Sequence, residues 1–191
     1  MSEPSAVARF DAAVDALFDH VRGVPALDRL FYTASELGDW SLVWHLLGAS
    51  QGVLRRDGFE RALRLSACMG VESALVNGGI KSLFGRSRPV ATAERPHALR
   101  QPLTSSFPSG HASAAFTAAA LLSDGTRAKP LVYTVAGIVA LSRVHVRIHH
   151  GSDVVGGVAV GLVLGALAKN LWPLGNAPFG LAELLRLRPR R

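Results

Sequence analysis

The run VVGGVAVGLVLGALA, from Val154 to Ala168, constrains this chain more than any other stretch. It holds no charged residue, so it needs either a protein interior or a lipid one. Its glycines at 157, 161 and 165 recur every four residues, on one face of a helix. Such a stripe lets a second helix approach closely, as helices do in a bilayer. Four more apolar segments share the helical period, and helices are expected at about 40–54, 60–84, 109–123, 130–148 and 153–173. No strand alternation competes and no internal repeat is visible. The expected fold class is all-α, an integral-membrane bundle of about five to six helices. Each segment is shorter or more polar than an ideal span of about 20 apolar residues, so length alone leaves a glycine-rich soluble bundle open. Five agreeing segments with short connections favour insertion.

Composition points the same way. Hydrophobic residues make up 49% of the chain and charged ones 18%, against a usual share of about 25%. The single cysteine, Cys68, excludes an internal disulfide framework and a cysteine metal cage, and its apolar setting suits a buried small side chain.

Three domains of the sequence are expected. Residues 1–24 form an N-terminal amphipathic helix, with Val7, Phe10, Val14, Leu17 and Val21 on one face and Asp11, Asp15 and Asp19 on another. It reads as lying on a surface rather than spanning, and with several acids and no continuous apolar core it is not expected to be a cleavable signal peptide. Residues 25–175 form the helical-bundle domain, and 176–191 a basic tail ending RLRPRR. The net charge of +7 is carried almost wholly by arginine. The arginines form no single stripe, so nucleic acid is not the expected partner; a membrane surface or a phosphate group fits better. If the five helices span, one side collects Arg55, Arg56, Arg61, Arg64, Arg127, Lys129, Lys169 and the tail. The positive-inside rule makes that side cytoplasmic. The other side is also basic, and the rule has force only if those bases have a separate task.

Three stretches fall on that second side. KSLFGRSRP holds Lys81 and Arg88 seven residues apart, two helical turns, so both cations are expected to point one way. PSGH spans 108–111, a turn leading into an apolar helix. SRVHVRIHHGSD holds Arg143, His149 and Asp153. The expected helix directions bring all three to one shallow site. In this order, with every charged position filled, they resemble the type 2 phosphatidic acid phosphatase superfamily, which includes the vanadium haloperoxidases. The resemblance covers roughly residues 25 to 173.

The residues make chemical sense on their own terms. A phosphate monoester or pyrophosphate carries about two negative charges to be neutralised before a nucleophile approaches. Lys81, Arg88 and Arg143 supply three cations, the arginines with bidentate geometry. The Ser109 and Gly110 amides, at a helix N-terminus, add fixed donors, and Gly110 leaves room for the backbone. His149 and Asp153 lie four apart, so the carboxylate can hold one imidazole nitrogen while the other faces phosphorus. The resemblance implies that His149 becomes phosphohistidine, and that His111 protonates the leaving oxygen and later activates water. Expected catalytic residues are therefore His149, His111 and Asp153, and expected phosphate-binding residues Lys81, Arg88, Ser109, Gly110 and Arg143. No cofactor and no metal are expected, because no His/Asp/Glu cluster outside these motifs has ligand spacing.

Other residues have blander readings. His145 suits packing, His150 turns about 100° from the nucleophile, and His20, His45 and His97 suit solvated positions. Arg86, Arg95, Arg100 and Arg147 read either as steering anionic lipid or as a solvated basic loop. Trp40, Trp44 and Trp172 suit an aromatic belt or packing. Two positions depart from the family pattern: Gly151, where proline is common, and Ile148, where glycine is frequent. The expected function is a membrane lipid phosphatase acting on phosphatidic acid, phosphatidylglycerophosphate, or a polyprenyl phosphate or diphosphate. The partners are that anionic lipid and the bilayer, the location a bacterial plasma membrane with the site facing outward. A vanadate-dependent haloperoxidase and a non-enzymatic anionic-lipid-binding protein are the alternatives.

Overall fold

A computed structural model describes residues 3–54, 57–90, 99–101 and 103–175. Arg55, Arg56, Arg95, His97 and the basic tail lie outside the described residues. The described chain forms helices α1 (Ala6–Asp19), α2 (Pro25–Leu37), α3 (Leu42–Leu54), α4 (Gly58–Ser73), α5 (Gly110–Leu122), α6 (Lys129–His145) and α7 (Gly151–Leu171), with no strand among the described residues. Local chemistry sets the ends. Ser5 caps α1 by accepting from the Ala8 amide at 3.2 Å, and Pro25 opens α2 where no amide partner is needed. A short 3-10 turn, Asp39–Ser41, joins α2 to α3 with Trp40 and Ser41 both left-handed (φ 55° and 58°).

The centre is α5, with ten of its thirteen residues buried. The glycine stripe performs the close approach that its spacing suggests. A Cβ on Gly157 would lie 2.4 Å from the Ser109 carbonyl oxygen, one on Gly161 2.4 Å from that of Ser113, and one on Gly165 2.5 Å from Ala120 Cβ. Thus α7 lies against the backbone of α5, a contact no larger side chain permits. On its other sides α5 packs against α4 and α6, and Trp44 of α3 and Ala34 of α2 complete the same core.

The outer faces are apolar. Leu46, Val53 and Leu54 on α3, Val71 on α4, Leu131 on α6, and Val155, Val163 and Leu171 on α7 are exposed. Among the described residues α7 alone is long and apolar enough to cross a membrane, and most of it faces outward rather than inward. Exposed leucine and valine on every side of a bundle suit lipid as the surrounding solvent.

Three expectations need correction. First, the acidic face of α1 is not wholly turned to solvent: α1 docks on the bundle with Asp11 buried, while Val7, Phe10 and Leu17 of its apolar face stay exposed. Phe18 joins a buried cluster with Ala112, Ala140, Val144 and Val154. Second, the helix carrying Lys81 does not continue to Arg88. After α4 the chain passes through a widened π turn (Ala74–Gly79) and a 3-10 turn (Ile80–Leu83), and Phe84 is extended. Third, Arg61 and Arg64 are not surface charges. Arg61 donates to the Asp124 carbonyl (2.7 Å) and pairs with Asp57. Arg64 pairs with Asp124 (2.8 Å) and donates to the Leu121 and Trp172 carbonyls, capping helix ends as cations do.

Candidate active site

The nucleophile candidate sits on a loop wound onto the end of α6. The amides of Ile148 and His149 both donate to the Arg143 carbonyl at 3.1 Å, and Arg147 takes a left-handed turn (φ 52°). The loop holds the His149 ring almost fully buried. Its Nδ1 lies 3.6 Å from Asp153 Oδ2, and its Nε2 lies 3.2 Å from Arg88 Nη1. A guanidinium only donates, so Nε2 is the lone-pair nitrogen and the ring proton sits on Nδ1, facing Asp153. Burial, with the Arg143 and Arg88 charges, lowers the His149 pKa to about 3, and Asp153 opposes that shift. The ring is therefore neutral across the physiological range.

Asp153 is held from several directions. Its Oδ2 accepts from Ser106 Oγ and from the His150 amide, each at 2.8 Å, and its Oδ1 accepts from Arg86 Nη1 at 2.7 Å. A carboxylate so fixed has no freedom to turn away from the imidazole. Arg86 is thus a structural residue, correcting its reading as a lipid-steering or solvated base. Arg147 likewise pairs with Asp19 at 2.5 Å.

His111 lies on the first turn of α5. Its Nε2 is 3.1 Å from Asp39 Oδ1, on the strained turn after α2. Each histidine of the site therefore has its own carboxylate. The second one escaped sequence reasoning, because Asp39 lies 72 positions upstream in no recognisable motif. A cavity of about 470 Å³ is lined by Lys81, Gly110, His111 and His149, and by His45 of α3. Lys81 is buried, and its Nζ would lie 3.5 Å from a Cβ placed on Gly110. Glu72, also missed, reaches the cavity from α4 and accepts a short hydrogen bond from Ser113. Arg100 stacks over Trp40, 4.1 Å from its ring centroid, at the cavity edge.

Arg88 reaches the site from its extended segment, where Nη1 also donates to the Ile148 carbonyl (3.1 Å) and Nη2 to the Thr104 carbonyl (3.1 Å). Arg143 is buried, its charge acts on both His111 and His149, and it donates to Ser35 Oγ. The Ser109 expectation is corrected in detail. Its amide donates to the Asp153 carbonyl (2.9 Å) and its hydroxyl caps α5 at Ala112, so Ser109 ties the two motifs together and leaves the cavity to the Gly110 end of the helix. His145 packs among Phe18, Phe31 and Tyr32 with Nε2 2.8 Å from Asp28, as a packing residue should. Among the described residues no group of three or more His, Cys, Asp or Glu side chains is gathered as a metal site.

Several known proteins resemble this chain. Over 104 residues the chain is 38% identical to lipid A 1-phosphatase of Porphyromonas gingivalis, covering 52% of this chain and 21% of that one. Over 92 residues it is 39% identical to decaprenylphosphoryl-5-phosphoribose phosphatase of Mycobacterium tuberculosis, covering 48% and 51%. The chain thus spans about half the length of one of these relatives and about a fifth of the other. Two solved structures match more of the chain. A transmembrane PAP2-type phosphatidylglycerolphosphate phosphatase from Bacillus subtilis superposes with a TM-score of 0.64 at 27% identity, covering 88% of this chain and 87% of that one. LpxE from Aquifex aeolicus superposes at 0.67 and 28%, covering 83% and 94%. The model of the PAP2 superfamily matches residues 61–174, which carry all three motifs with His111 and His149, so the chain belongs to the PAP2 superfamily.

Proposed function

We propose that this protein is a membrane lipid phosphatase that removes a phosphate or diphosphate headgroup through a phosphohistidine at His149. The observation that carries the reading is the pair of rings, His149 and His111, facing one cavity with Lys81 and the Gly110 end of α5 beside them. A phosphoryl group placed there meets the lone pair of His149 Nε2 on one side and His111 on the other, as in-line displacement requires. His149 Nε2 forms the P–N bond while the P–O bond to the lipid breaks; His111, whose pKa burial and the Arg143 charge hold at about 4, takes up a proton as the phosphate dianion binds and gives it to the leaving oxygen. Water then attacks phosphorus, His111 takes its proton, the P–N bond breaks and inorganic phosphate leaves. Lys81, Arg88 and Arg143 offset the charge on the phosphoryl oxygens, and the Gly110 amide donates to one of them. Arg88 Nη1 lies 3.2 Å from Nε2, close enough to meet the oxygens of a phosphoryl group bonded there.

The substrate class rests on the relatives, which are named for lipid A, decaprenylphosphoryl-5-phosphoribose and phosphatidylglycerolphosphate. A lipid-anchored phosphate, polyprenyl phosphates and diphosphates included, also fits a cavity at the end of an apolar bundle. The site faces outward across a bacterial plasma membrane in this reading. The test is phosphate release from these lipids by purified protein in detergent, with acid-labile phosphoenzyme trapped in parallel. His149→Ala abolishes both signals and Asp153→Asn reduces both, since it misorients the ring without deleting it. Turnover that survives His149→Ala overturns the assignment.

A further inference from the structure

The acidic face of α1 has no place in the chemistry above, and the family match begins only at residue 61. Yet Asp11 and Asp19 grip the His149 loop at both ends. Asp11 is buried, its Oδ1 accepts from the Ser152 amide at 2.8 Å and its Oδ2 from Ser152 Oγ at 3.0 Å, next to Asp153. Its Oδ2 also accepts a short hydrogen bond from Arg86 Nη2, while Nη1 of the same guanidinium donates to Asp153 Oδ1 at 2.7 Å. One planar guanidinium thus joins a carboxylate of α1 to the carboxylate behind His149. Two turns along α1, Asp19 meets Arg147 Nη2 at 2.5 Å, two positions before His149. Arg22, just beyond α1, pairs with Asp15 and Asp19 and donates to the Val144 and His145 carbonyls at the end of α6. Gly151 makes the docking possible, because a Cβ there would lie 2.9 Å from Val14 Cγ1.

We propose that α1 is a positioning element of the active site, in which Asp11, through Arg86, sets the orientation of Asp153 and hence of His149. A surface helix held only by apolar contact would not need a buried carboxylate aimed at the amide and the arginine that frame Asp153. Loss of the Asp11 charge leaves Arg86 with one carboxylate instead of two, and the guanidinium then draws Asp153 away from the histidine. Misplacement of a reacting group by an ångström or so costs about 100-fold in rate.

The proposal rests on His149 as nucleophile, so its test has one readout that needs no turnover. Asp11→Asn keeps an oxygen for the Ser152 amide and removes the charge from Arg86. The expected result is a fall in kcat of about 10- to 100-fold with KM for a short-chain lipid phosphate little changed. The His149 ring resonances, read by 15N NMR in detergent, shift in the same variant. Arg86→Gln falls similarly, and the double variant is no worse than Arg86→Gln alone, because the two act through one link. An unchanged kcat together with unchanged His149 resonances overturns the proposal, as do losses that multiply in the double variant. Absence of turnover in the unmodified protein counts against the phosphatase reading alone, and the NMR arm still decides the clamp. Should Asp11→Asn fail to fold, Gly151→Ala displaces α1 by collision with Val14. Val14→Ala in that background then restores part of the His149 signal, and no recovery overturns the proposal.

Discussion

At the scale of single residues, the protonation of His149 is the property most directly tied to chemistry. An ordinary histidine gains its proton as pH falls through about 6.5. Burial and the two arginines lower that point to about 3 for His149, so the neutral, nucleophilic form stays fully populated from neutrality down to about pH 5. The expected outcome is that 15N NMR of the ligand-free protein shows a neutral ring, protonated at Nδ1, over that whole range. Any acid limb of kcat/KM near pH 6 then belongs to the phosphate of the substrate, whose second ionisation lies there. An imidazolium signal for His149 at about pH 5.5 would contradict the burial and charge argument. The sequence discloses His149, Asp153 and His111 because each stands in a short motif whose spacing reflects local geometry. It does not disclose Asp39 or Glu72, whose relation to the site exists only after α2 and α4 are packed against α5.

Secondary-structure elements were legible where one period rules a whole segment and illegible where it changes. The glycine period of α7 states its own packing, since 157, 161 and 165 all meet α5. The Lys81–Arg88 spacing misleads, because the π turn at Ala74–Gly79 and the break at Leu83 replace two helical turns with an extended segment. Arg88 still comes within 3.2 Å of His149 Nε2, held by its bonds to the Ile148 and Thr104 carbonyls, by a route other than the one its spacing from Lys81 implies. Gly151 departs from the family pattern for a reason lodged in α1, which sequence alone reads as a separate helix. The stripe supports a direct test. Gly161→Ala would set a methyl 2.4 Å from the Ser113 carbonyl oxygen, an overlap that only a shift of α7 relieves, at a cost of about 1–3 kcal/mol. Thermal unfolding in detergent should show the loss. Gly137→Ala, on α6 with nothing within 4 Å of the new Cβ, serves as control and leaves stability equal or slightly higher. Equal melting of all three proteins would refute the close-approach account of α7.

For the whole molecule the decisive question is which side of the membrane the cavity faces, and the structure shows how the charges are paired. Arg61 and Arg64 are buried caps on helix ends. Arg22, Arg86 and Arg147 are neutralised by Asp11, Asp15, Asp19 and Asp153, and Lys81, Arg88 and Arg143 belong to the proposed phosphate site. Arg127, Lys129 and Lys169 remain on the opposite side without a comparable acidic partner helix, and Arg55, Arg56 and the tail add to them in sequence. The positive-inside rule counts Lys and Arg rather than net charge, so pairing leaves both sides basic and the outward cavity stands as a proposal that inhibition and labelling decide. Vanadate reads the side and the chemistry together. It is a phosphate-shaped oxyanion that accepts a fifth ligand, here His149 Nε2, and so resembles the transition state of in-line transfer. Such mimics bind roughly 100-fold or more tightly than the ground-state anion. Vanadate added outside intact right-side-out vesicles should inhibit hydrolysis without permeabilisation. In a Cys68→Ala background, Leu103→Cys on the exposed loop beside the site should react with an impermeant thiol reagent from outside, and Arg127→Cys only after lysis. Labelling in the reverse order inverts the topology and leaves the chemistry standing. Full activity in saturating vanadate on permeabilised vesicles removes the histidine-centred phosphoryl site itself.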